Sequence, residues 1–155
     1  NETYIKSIDE KDLFKHFKEY SAKYKKAIDD LKEDSLSKSM NFLKNKAKTL
    51  EDIFNNAQYL INDEIKIGDE DKKLLDDQAK LIVKDFIIEY EKLSTLNKES
   101  LEPVIKSLID KHKTNFKGVG QPLRIGLVGS RFGPGLYDVI LSLDKAEVIK
   151  RLKKI

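Results

Sequence analysis

Apolar residues recur three and four positions apart along nearly the whole chain, and that period restricts the fold more than any other feature. The longest run, from Leu74 to Tyr90, sets Leu75, Ala79, Ile82, Val83, Phe86 and Tyr90 on one helical stripe. Shorter runs repeat it: Leu13, Phe14 and Phe17; Tyr24, Ala27, Ile28 and Leu31; Leu36, Met40, Leu43 and Ala47; Ile53, Ala57 and Leu60; Val104, Ile105, Leu108 and Ile109. No stretch alternates apolar and polar residues long enough to propose a strand. The pattern predicts an all-α fold of two small helical lobes, bundle-like and in tandem.

Caps and breaks divide this pattern. Ser7 with Glu10 reads as a capping box, Asp34 or Ser35 as a helix start, Thr49 as an N-cap with Glu51 and Asp52 in its first turn, and Asn97 as another N-cap. Asp52 is one methylene shorter than the glutamate a capping box normally uses. Pro103 falls early in its helix. "NDEIKIGDED", residues 62–71, is the one polar, glycine-containing break in the middle of the chain. It sets the expected lobes at 1–63 and 64–155. "NFKGVG", residues 115–120, reads as a loop or joint. Beyond it Gly129 reads as a helix C-terminal glycine, Pro134 as a first-turn proline, and Asp144 with Glu147 as a variant capping box. Three short helices are expected there, at about 122–128, 134–143 and 145–154.

With 155 residues, 39% of them hydrophobic, the chain can bury a real core, and 37% charged residues of both signs fit solvated helix faces. The net charge of +3 decides nothing, but its distribution is uneven. From Lys111 onward ten Lys/Arg face three Asp/Glu, while the preceding residues hold 20 against 24. A basic end suits a phosphate-facing surface, and lysines closing a terminal helix also complement its dipole. The absence of cysteine excludes disulfides and thiolate metal sites, and fits an intracellular, cytoplasmic setting. No apolar run approaches a membrane span and the amino end has no signal-peptide core, so no membrane partner is expected. The first residue, Asn1, is not methionine, and a piece of a longer protein is expected.

Catalytic chemistry finds little support. His16 and His112 each sit beside lysine, and His16 has Asp12 and Glu19 within helical reach but no second histidine; exposed helix positions are expected for both. The late glycines are followed by no Gly-Lys-Ser/Thr and preceded by no strand. Asp29/Asp30 and Asp76/Asp77 read as polar faces. Neither an active site nor a metal site is expected in these residues.

"QPLRIGLVGSRFGPGLYDVI", residues 121–140, changes the chemistry of the chain. It holds two of the three arginines, four of the seven glycines and two of the three prolines. Arginine presents a planar fork that pairs bidentately with phosphates and base edges, whereas lysine is a compact point charge. Two readings stand side by side: close approach of the backbone and the start of a helix near Pro134 to an anion or base, or turns between short helices that need Gly and Pro without any ligand.

The stretch extended to Leu152 resembles the carboxyl-terminal anticodon-binding segment of bacterial glutamyl-tRNA synthetases. Pro122, Leu123, Arg124, Leu127, Gly129, Pro134, Leu136, Tyr137, Asp138, Leu143, Lys145, Arg151 and Leu152 match that pattern in order. Asp144 stands where the family usually has glycine, and Gly126 and Val128 stand where alanine and threonine are common. "NETYI" with Lys6, and "KNKAKTLEDIFNNAQYL", are similar to the start of the family's first anticodon-binding lobe and to its Arg-x-Lys-Thr-Leu stretch.

The resemblance implies the fragment of a class I, ATP-dependent glutamate-tRNA ligase that reads the anticodon. Such a fragment lacks the catalytic domain, which would take ATP and Mg2+, and itself needs no cofactor or metal; "LSKSMN" is only a scrambled echo of an ATP-binding motif. The implied partner is tRNA(Glu), bound by a monomer. The family's anticodon contacts fall on Arg124, Gly133, Pro134 and Leu136, and Arg131 is added because it shares their turn. Lys46 occupies the position where many members carry an arginine that helps select the third anticodon base. Lysine offers no fork there, which leaves two readings: tRNA(Gln) as a second substrate, or a drift to lysine with function retained in a chain of 27 lysines and three arginines. The alternative reading is a helical protein-interaction module with an incidental basic tail.

Overall fold

The structure, a computed structural model, describes residues 2–155, with side chains from Tyr4 onward. Eleven α-helices are present among the described residues and no strand: α1 Glu2–Ser7, α2 Glu10–Tyr24, α3 Glu33–Leu43, α4 Leu50–Asn56, α5 Gln58–Ile61, α6 Asp69–Lys72, α7 Asp77–Glu91, α8 Lys98–Lys111, α9 Phe116–Val128, α10 Leu136–Ser142 and α11 Lys145–Leu152. Two 3-10 turns, Asp30–Lys32 and Lys44–Lys46, flank α3. The helices form two compact units, 1–64 and 65–155. None of these helices is long and apolar enough to cross a membrane.

In the first unit α2 packs on α3 and α4. Leu13, Phe17, Leu36, Met40, Leu43 and Ile53 are fully buried where these helices meet. The start of α2 differs from expectation. Asp9 caps it by accepting from Lys11 N–H, while the Ser7 hydroxyl instead donates to the Tyr4 carbonyl within α1. The run Tyr24, Ala27, Ile28, Leu31 is also not a helical face: α2 ends at Tyr24, only Ile28 is buried, and Leu31 is 91% exposed. The intervening chain is outside any helix up to Asp29, which caps the 3-10 turn by accepting from Leu31 N–H. At α4 the short aspartate suffices. Thr49 accepts from Asp52 N–H at 3.1 Å while Asp52 accepts from Thr49 N–H at 3.2 Å, which completes the capping box.

The second unit is organised around α9, which touches α7, α8, α10 and α11. This corrects the expectation of a loop at residues 115–120. Asn115 caps the helix by accepting from Gly118 N–H at 2.8 Å, and the helix runs on through Gly118, Gly120 and Pro122. Those residues cost helix propensity in isolation. Here they lie in a helix buried on several sides, with Val119, Leu123, Ile125 and Leu127 inaccessible to solvent, and burial outweighs propensity. Gly126 lies closely against α11: a Cβ there would come 2.9 Å from Leu152 Cδ2, a side-chain end that would have to shift to make room.

Three further expectations change. Pro134 is not in the first turn of α10: it precedes the N-cap Gly135, and the helix starts at Leu136. Asp144 precedes α11 without a side-chain cap bond, and Glu147 accepts from Arg151 Nε at 3.3 Å instead of completing a capping box. His112 is not on an open face: its side chain is 12% exposed and its Nε2 lies 2.8 Å from Asp85 Oδ2. Lys111 and His112 together hold the Asp85 carboxyl below the usual carboxylate range, against the opposing effect of its burial. His16 is exposed, as expected.

Candidate nucleic-acid interface

The segment from Gly129 to Gly135 joins α9 to α10, and its conformation is set at both ends. Gly129 ends α9 in the left-handed region, at φ 92°, and donates its N–H to the Ile125 carbonyl at 2.9 Å. Gly133 is the second left-handed residue, at φ 137°. These two positions need glycine for a backbone reason, since a Cβ is disfavoured at such angles.

Between them the chain is tied to two helices. Arg124, on α9, donates from Nη1 to the Arg131 carbonyl at 3.0 Å. Asp71, in α6, accepts from both the backbone N–H and the guanidinium of Arg131 through one oxygen, each at 3.3 Å. Phe132 N–H donates to Ser130 Oγ at 3.0 Å. Arg131 is therefore fixed through its carbonyl, its N–H and its side chain, and its guanidinium lies 4.8 Å from the centre of the Phe132 ring. Phe132 is 68% exposed.

The expected site residues occupy distinct environments. Arg124, Arg131 and Gly133 are half-buried; the last two belong to this one tied loop, and Arg124 holds it from α9. Pro134 is buried, and Leu136 is 2% exposed with Cδ2 within 3.6 Å of where a Gly120 Cβ would stand. At Pro134 and Leu136 the backbone is what remains for a ligand, since the side chains fill the core. Lys46 ends the second 3-10 turn of the first unit, exposed to solvent beside the buried Ala47. Burial holds the Arg124 guanidinium below its ordinary pKa, yet arginine stays charged in proteins. Its Nε is buried without a hydrogen-bond partner.

Arginine has a structural use here that its clustering in the sequence did not reveal. Arg151 is 5% exposed and donates from Nη1 to the Leu127 carbonyl at 2.8 Å, pinning α11 to the end of α9. Residue-by-residue reading also missed Asp71 and Phe132. An aromatic side chain between Arg and Gly in a predicted turn is the signal that marks Phe132; nothing local marks Asp71, which lies 60 positions from its partner.

The anticodon binding domain family model matches residues 12–155. The chain belongs to the anticodon binding domain family. Among anticodon binding domain proteins, the chain is 57% identical over 152 residues to the glutamate-tRNA ligase of Pelagibacter ubique, covering 98% of this chain and 33% of that protein. It is 29% identical to the ligase of Wigglesworthia glossinidia brevipalpis, covering 99% and 32% respectively. The crystal structure of a glutamate tRNA ligase from Elizabethkingia meningosepticum, in complex with its amino acid, shares the fold with a TM-score of 0.81 at 22% identity, over 99% of this chain and 30% of that one. The chain thus spans about a third of the relatives it matches. The Asn1 of the family's first motif lies outside the described residues; Tyr4, exposed, and Ile5, buried, belong to α1.

Proposed function

We propose that this chain is the part of a glutamate-tRNA ligase that binds the anticodon of tRNA(Glu), with both helical units taking part, while attachment of glutamate with ATP and Mg2+ belongs to the catalytic part of a longer enzyme. The observation that carries the reading is the family match over residues 12–155, and the tied arginine loop gives it a physical basis. Unpaired loop bases are held by stacking, apolar surface and hydrogen bonds to their edges. Arg124, Arg131 and the backbone from Gly133 to Leu136 offer those groups on a preorganised segment.

The test is a titration of the chain with an anticodon stem-loop of tRNA(Glu), repeated at several salt concentrations. Phosphate contacts release counterions, so affinity falls as salt rises. Binding that ignores salt, or no binding at millimolar concentration, sinks the proposal.

Lys46 bears on which tRNA is accepted. A lysine cannot form the bidentate fork with which arginine reads a base edge, so the parent enzyme is proposed to charge tRNA(Gln) as well as tRNA(Glu). Charging assays on the whole enzyme decide it: Lys46→Arg is expected to raise the preference for tRNA(Glu) roughly tenfold. A large preference already present with Lys46 would end this part of the proposal. A cytoplasmic location and a monomeric enzyme complete the reading.

A further inference from the structure

We infer that Phe132 is a stacking platform for one unpaired base of the bound RNA, its ring held between the Arg131 guanidinium and the base. This rests on the RNA-binding reading above. Exposure alone carries nothing, because isolated surface hydrophobics are ordinary. Three features set this ring apart.

The backbone beneath it is held in place. Arg131 is tied to Arg124 through its carbonyl and to Asp71 through its N–H and guanidinium, and Phe132 N–H is satisfied by Ser130. A ring on a loop already ordered loses little freedom when a ligand arrives. Next, the Arg131 guanidinium lies over the ring at 4.8 Å, taking up one face. With 68% of the residue exposed, the π surface that remains is available to a flat partner. Finally, Gly133 turns the chain at a φ of 137°, which a side chain rarely adopts, so the backbone leaves Phe132 without a bulky neighbour on that side.

The chemistry favours a base over a protein side chain. A protein hot spot wants a cluster of apolar groups around its anchor, whereas Phe132 is the one exposed large apolar residue of its loop among the described residues. Its immediate neighbour is cationic, and positive charge beside an aromatic face is how single-stranded nucleic acid is held without reading its sequence.

The chain contains no tryptophan, so Phe132→Trp introduces a single indole at the site. Titrated with the anticodon stem-loop, that indole is expected to be quenched, with affinity close to the parent's. Phe132→Leu keeps an apolar side chain but no π face, and is expected to bind roughly tenfold more weakly with an unchanged helical circular dichroism spectrum. If Phe132→Leu binds as the parent does and the Phe132→Trp emission is unmoved by RNA, while Arg124→Ala weakens binding, the stacking inference is overturned and the RNA-binding reading stands; the ring is then left to a protein partner. If the parent chain binds no RNA, both fall together.

Discussion

Arg124→Ala is expected to weaken binding of an anticodon stem-loop on the order of 100-fold, about 3 kcal/mol, while lowering the unfolding free energy of the second unit by about 1 kcal/mol. The two effects have different origins. Binding suffers twice, because a guanidinium that can face RNA is removed and because the Arg131 carbonyl loses its anchor at 3.0 Å, which frees the loop that carries Arg131 and Phe132. Stability suffers less than the burial of an arginine suggests. The substitution deletes a charge-assisted hydrogen bond, but it also deletes a buried Nε that has no partner and whose desolvation the native fold already bears.

Arg124→Lys separates charge from geometry. Lysine keeps the positive charge and therefore most of the salt dependence, but it cannot reach a carbonyl with one nitrogen and an RNA acceptor with another. Its affinity is expected between those of the parent and Arg124→Ala. Measured by equilibrium binding and by urea unfolding, a variant Arg124→Ala that loses stability and keeps its RNA affinity would make the arginine a purely structural tie. The RNA contacts would then belong to other residues of the chain, whereas a parent chain that binds no RNA is what would favour the helical interaction-module reading.

Sequence periodicity was sufficient wherever one helix face meets one core. The α7 stripe is buried from Ala79 to Tyr90 as its spacing requires, while Leu75, expected at its start, lies before the helix and is only half-buried; Thr49 and Asn97 start helices and Gly129 ends one as their chemistry dictates. It failed where tertiary packing reversed a local preference. Gly118, Gly120 and Pro122 signal a break, yet α9 passes through them because four neighbouring helices surround it. His112 lies in a lysine-rich segment and still turns inward, because Asp85, 27 positions away, offers it a carboxylate.

The candidate site divides in the same way. Which residues to examine was legible through the ordered motif around Arg124 and Pro134. How they act together was not, since the Arg124 to Arg131 bond spans seven positions and the Asp71 tie spans 60, with no periodic signal linking them. Arg151 shows the converse: it lies within the resemblance to an RNA-binding tail, yet its fork serves the Leu127 carbonyl and Glu147.

Gly129→Ala is expected to destabilise the second unit on the order of 3 kcal/mol or more. Two costs add. An alanine held at a φ of 92° pays about 1–2 kcal/mol for the left-handed backbone. Its Cβ would also stand 2.5 Å from the Lys66 carbonyl oxygen, and because that atom is backbone, no rotamer change relieves the contact. The chain at residue 66 or the end of α9 must move. For a unit of this size the loss corresponds to a fall in thermal midpoint of roughly 10–20 °C, to be followed by amide resonances of the second unit. Gly129→Asn distinguishes the costs: asparagine tolerates the left-handed region better than alanine but carries the same Cβ. Equal damage from both variants assigns the loss to the Lys66 contact, and a milder Gly129→Asn assigns it to the dihedral angle. A Gly129→Ala variant within 1 kcal/mol of the parent would mean that the junction yields freely. That outcome would also remove the basis for treating the arginine loop as preorganised, because Arg131 begins two residues beyond this glycine and takes its position from it.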